Sequence, residues 1–153
     1  MYQFLVQLLF MVWGSAMAWS QVLGDKPKLF SPYSETALAI TGPVTLSKTR
    51  IVFESGAALD LEEINPKAPG SWGNSGDVPV AQMFRVSGKV GALRQGNTLC
   101  GEDLVTYLSA SQEESFGYQY LVIALFVGAD APNGINDSGL CGIFSYSVGA
   151  SGQ

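Results

Sequence analysis

Histidine is absent from the 153 residues, and cysteine occurs only twice. Lacking histidine, the chain has neither the commonest general base near neutral pH nor the commonest metal ligand. Two thiolates without an imidazole leave a zinc site two ligands short, unless carboxylates complete it. Charge is scarce as well: 14% of residues are charged against 47% hydrophobic, a balance that excludes a chain disordered throughout. Basic residues are outnumbered, 8 Lys and Arg to 13 Asp and Glu, for a net charge of −5. That sign argues against nucleic acid, whose phosphates would be repelled. The apolar run Phe4–Trp13 is shorter than the about 20 residues a spanning helix needs. Sustained helical amphipathicity is missing after it.

Immediately beyond that run, Gly14-Ser15-Ala16-Met17-Ala18 puts small residues at Ala16 and Ala18, the spacing that signal peptidase reads. Residues 1–18 are therefore expected to be a secretory signal cleaved near Ala18–Trp19, although no Lys or Arg precedes the run. A buried or interfacial helix is the alternative. No cysteine lies near that site, which excludes a lipid anchor there, and the expected location is periplasmic or secreted. Export makes the two cysteines intelligible: in an oxidising compartment a small, even count implies a structural disulfide. A Cys100–Cys141 bond would close a loop of about 40 residues, for which chain entropy suggests roughly 4 kcal/mol.

The remaining chain, about 135 residues, suffices for one core. Residues 19–37, with Pro27 and Pro32 among polar neighbours, read as an extended lead-in, and 38–153 as a single β domain. Val44 and Leu46, Ile51 and Phe53, and Leu59 and Leu61 alternate with polar residues, the signature of strands with one wet face. Residues 65–79 (NPKAPGSWGNSGDVP) break this pattern with prolines and glycines and read as a long loop. Strands resume at AQMFRVSG and DLVTYLSA. YQYLVIALFVGA is apolar on both faces and is expected to be the central strand, with a helix as alternative. Asn133-Gly134 marks a turn before LCGIFSYSV. The predicted class is all-β: a small antiparallel sandwich or barrel of about 7–8 strands with one disulfide. Each cysteine is expected at a strand edge, its following glycine permitting a bulge.

The segments ITGPVTLSKTRIVFESGAALDLEEI, MFRVSG, NTLCG, YLVIALFVGADAP and LCGIFSYSV, across residues 38–148, resemble small exported bacterial proteins of unassigned function. The two Leu-Cys-Gly units framing an apolar strand carry most of the likeness. The resemblance implies an exported bacterial protein and brings no activity or catalytic residues.

Chemistry is thinly signposted. No G-x-S-x-G elbow or S-x-x-K is present, and Ser47-Lys48 are neighbours at a reversal. Asp60, Glu62 and Glu63 are the densest carboxylates, but their alternation with Leu59 and Leu61 suggests a solvated strand face with Glu63 at its end. Asp130, Asn133, Asn136 and Asp137 fail the calcium-loop spacing and suit a turn. Asn136-Asp137-Ser138 matches a glycosylation sequon, relevant only in a eukaryotic host. No metal or other cofactor is expected. Trp72, amid Gly, Asn, Ser and Pro, either folds back as a lid on the core or stands out as an aromatic anchor for a protein or sugar.

The function expected is a non-enzymatic exported β domain binding a protein or envelope component. Trp72, Asp77, Asn133 and Asp137, on the 65–79 loop and the 129–139 turn, are the candidate binding residues. Acidity suits a basic partner. Exported lysozyme inhibitors are also small, acidic, disulfide-bonded barrels, an analogy of fold alone. A carboxylate-dependent hydrolase and a structural envelope protein without a discrete site are the alternatives.

Overall fold

Residues 22–148 are described by the computed structural model; the expected signal segment and cleavage point lie outside the described residues. Eight strands occur in chain order: β1 (Lys28–Pro32), β2 (Val44–Leu46), β3 (Arg50–Phe53), β4 (Ala58–Trp72), β5 (Val78–Ser87), β6 (Tyr107–Ser115), β7 (Tyr118–Phe126) and β8 (Leu140–Ser147). Each pairs antiparallel with the next, and β1 pairs with β8 through Ser31–Ser147 and Pro32–Tyr146, closing the sheet into a barrel. The protein is all-β, and of the two expected architectures it is the barrel.

The period-two residues decide which face closes inward. Val44, Leu46, Ile51, Phe53, Leu59 and Leu61 are all buried, and they meet Phe30, Phe84, Val86, Leu108, Phe144 and Tyr146 inside the barrel. Outside, Arg50, Asp60, Glu62 and Arg85 are exposed, and Arg85 pairs with Glu62 at 3.6 Å. Apolar inside and charged outside is the reverse of a transmembrane barrel. Among the described residues no helix is long and apolar enough to cross a membrane.

Apolar character on both faces of β7 has its explanation in a second cluster. Leu121, Ile123 and Leu125 join the interior, while Ala124 and Phe126 belong to an outer cluster with Trp72, Ala68, Ala81, Met83 and Tyr107. The segment expected as a long loop is what covers it. Residues 65–72 continue β4, pairing with β5 through Ala68–Ala81 and Trp72–Val78, with register shifts after Glu63, Asn65 and Pro69. Only 73–77 is turn. Pro66 and Pro69 are tolerated because β3 pairs with β4 only at Ala58–Asp60 and the Ser71–Gly134 bridge lies beyond them, leaving the proline-bearing stretch with β5 on one side.

The lead-in is also corrected. Its residues 28–32 form β1, without which the barrel would stay open, and Leu23 is buried against the interior. The amide of Gln82, itself buried, accepts from Leu23 N at 2.8 Å and donates to Leu23 O at 3.0 Å, imitating a strand partner. A short helical turn, Ala37–Thr41, seals the opposite end, where the Thr41 hydroxyl meets the Tyr146 phenol at 2.8 Å. Arg94 ties that turn to the β5–β6 connection by donating to Leu38 O at 2.7 Å and pairing with Glu54.

Cys100 and Cys141 are bonded, their Cα atoms 5.4 Å apart. Leu125 aligns with Gly142 but Phe126 with Leu140, so Cys141 is the extra residue of a β-bulge. A Cβ on Gly142 would lie 2.9 Å from the Phe144 ring, and Gly101 adopts φ 66°. Cys141 thus fits the expected strand bulge, whereas Cys100, also expected at a strand edge, lies in the connection between β5 and β6.

Candidate functional site

An eight-stranded barrel has room either for packed side chains or for one small ligand. Here phenylalanine and leucine fill it, which leaves the outer surface and the loops as the places a ligand could reach. A cavity of about 390 Å³ lies between Leu59 and the 88–105 segment, walled by Val90, Leu99 and Val105 with Lys89 and Glu102 at its rim. Its volume is within the range of ligand sites. Its polar side chains, Lys89, Thr98, Glu102 and Asp103, are all exposed, and among the described residues every buried side-chain nitrogen or oxygen already has a partner.

The two segments predicted to act together are neighbours. Ser71 bridges to Gly134, Ile135 N donates to Ser71 O at 2.8 Å, and Ser71 N reaches Asn133 O at 3.4 Å. The purpose of the contact differs from the expectation. Trp72 is fully buried, its indole N–H donating to Ala68 O at 3.0 Å and its ring meeting Phe126 edge-on at 6.2 Å. It is a lid on the outer cluster and not an exposed anchor. Asp137 serves its own turn, its carboxylate accepting from Gly139 N at 2.9 Å. Asp77 and Asn133 are exposed, with no binding group gathered by the Trp72 side chain.

The carboxylates are also dispersed. Asp60 and Glu62 face solvent, whereas Glu63 sits mid-strand, opposite Phe84, and accepts from Gln82 Nε2 at 2.6 Å. Glu63 is thus not at a strand end. Among the described residues no cluster of His, Cys, Asp and Glu could hold a metal ion.

A different surface gathers exposed aromatic rings. Tyr118 and Tyr120 are two apart on β7 and so share its outer face, roughly 7 Å from each other along the strand. Barrel closure sets Tyr120 beside Ser147 of β8, and Ser147 beside Ser31 of β1. Tyr33, just beyond β1, leans back over β8 to meet Tyr120, with ring centroids 4.3 Å apart and planes at 35°. Hydrogen bonding to Tyr33 raises the Tyr120 phenol above its ordinary range, followed by desolvation and the nearby Tyr33 and Tyr118. Tyr118 is 69% exposed, Tyr33 58%, and Phe116, at the tip of the β6–β7 hairpin, 98%.

The rim of this face is polar. Glu113 of β6 stands opposite Tyr120. Asn74 donates to its carboxylate through the backbone N–H at 2.9 Å and Nδ2 at 3.1 Å, while Asn74 Oδ1 accepts from Ser145 Oγ at 3.0 Å. The 73–77 turn therefore does border the face, through Asn74 and not through Trp72. Sequence reading missed Phe116, Tyr118, Tyr120 and Tyr33. The first three were discoverable as aromatics flanking the Phe116-Gly117 reversal; Tyr33 was not, because only closure brings β1 to β8.

No protein-family model, curated protein or solved structure compared with this chain matches it. The disulfide fits a non-reducing, extracellular-type compartment.

Proposed function

We infer that this protein is an exported, non-enzymatic binding module, periplasmic or secreted, that attaches to a component of the cell envelope or a protein there through its outer aromatic face. The observation that carries the reading is Phe116. It is 98% exposed and holds φ 50° in a two-residue turn. Left-handed geometry favours Asn or Gly and costs a bulky L-residue about 1–2 kcal/mol. An aromatic ring kept in water at that cost, two residues from the exposed Tyr118, suits contact with a partner. Dispersal of Asp60, Glu62 and Glu63 over opposite faces supports a non-catalytic role. Affinity capture from native envelope should retain a component with wild-type protein and lose it with Tyr118→Ala and Phe116→Ala. Equal capture by all three proteins would refute the reading.

A further inference from the structure

Resting on that reading, we propose that the aromatic face takes a neutral polysaccharide chain, with sugar rings laid against the exposed rings of Tyr118 and Tyr33. Protein hot spots sit in desolvated pockets surrounded by water-excluding contacts. These rings instead stand out from the barrel wall, 69% and 58% exposed. A pyranose needs a flat apolar surface for its C–H face and a mixture of donors and acceptors for its hydroxyl rim. Tyr118 and Tyr33 supply the first. Tyrosine hydroxyls, Ser147, Asn74 and Glu113 supply the second. A carboxylate accepts about four hydrogen bonds, so the two that Glu113 takes from Asn74 leave capacity for a sugar hydroxyl.

Charge selects among polymers. All eight Lys and Arg lie at or before Arg94, so β6, β7 and β8 carry none. Glu113 stands beside the rings on β6, across from Tyr120. A chain bearing phosphate, sulfate or uronate, or an anionic lipid surface, would meet like charge without a compensating cation. A neutral glycan meets no such repulsion. Tyr120 acts as a positioning residue, its ring backing Tyr33.

The test is depletion of the disulfide-bonded secreted protein onto cellulose, chitin and mannan, with dextran sulfate and phosphatidylglycerol vesicles as anionic probes. Retention on at least one neutral polysaccharide is expected, persisting in high salt. Tyr118→Ala should weaken it about tenfold, whereas Tyr118→Phe should stay within about threefold. Tyr118 is exposed, so thermal midpoints should be unchanged, and Phe116→Ser provides a second variant. The proposal is overturned if no neutral polysaccharide is retained, if Tyr118→Ala binds as wild type, or if the anionic probes are preferred. A Tyr118-dependent dimer in ultracentrifugation without glycan retention overturns it as well. Envelope capture that needs Tyr118 yet survives glycosidase and fails after protease identifies a protein partner: the glycan assignment falls and the binding reading stands. Capture indifferent to Tyr118→Ala removes both.

Discussion

A tryptophan in a run of Gly, Ser and Asn can look outward or inward, and a single acceptor helps to decide it. The Trp72 indole N–H finds Ala68 O, four residues earlier on the same strand, which offsets the cost of burying its polar end. Trp72→Ala should therefore cost about 3–5 kcal/mol of stability in urea unfolding. In a Trp13→Phe, Trp19→Phe background, fluorescence should resist iodide quenching. Tyr146 makes the second prediction. Burial pushes its phenol far above the ordinary range, with the Thr41 hydrogen bond opposing in part. An unfolded tyrosine titrates near about 10. Its contribution is thus complete below that pH and is lost as pH rises from there toward the folded value. Alkaline unfolding should begin above about pH 10, and Tyr146→Phe should flatten it. At neutral pH that substitution should cost about 1 kcal/mol through the lost bond to Thr41.

At the scale of elements, β4 and the β6–β7 hairpin show propensity overridden in two ways. Three prolines and three glycines made 65–79 read as loop. Yet a strand with a partner on one side only can omit ladder donors, and its bulges bend it over the outer cluster. In the hairpin, Phe116-Gly117 occupies a turn that Asn-Gly would fill without strain. Phe116→Asn should raise stability by about 0.5–1 kcal/mol while weakening envelope capture. Such a rise with a concurrent loss of binding is the stability–function exchange expected of a surface kept for contact. A Phe116→Asn variant that is less stable than wild type would show the turn to be unstrained.

For the whole molecule, the disulfide ties the β5–β6 connection to β8, a connection otherwise held by Arg94 to Glu54 and Leu38 and by Asn97 to Ala39 O at 3.2 Å. Cys141→Ala should lower stability by about 2–5 kcal/mol in denaturant titration. The loss should be felt first at the 88–105 segment, as faster amide exchange there than in β7. β7 is the opposite extreme, buried from Leu121 to Phe126 between two clusters. Ile123→Ala should cost about 2–5 kcal/mol through a cavity in the barrel interior.

The all-β class, most of the strands, the deep burial of β7 and the cysteine pairing were legible in the residues alone. Each depends on local signals: a period of two, apolar character on both faces, and an even cysteine count. Closure was not legible, because joining β1 to β8 turns on barrel geometry and on few residues of a segment whose prolines mask its role. The inward turn of Trp72 was hidden for a related reason, since its Phe126 and Ala68 surroundings form only when β4 bends over β7. The aromatic face needed both kinds of information. Alternation put Tyr118 and Tyr120 on one side of a strand, but the neighbour across β8 came from closing the barrel, and only there does Tyr33 meet Tyr120.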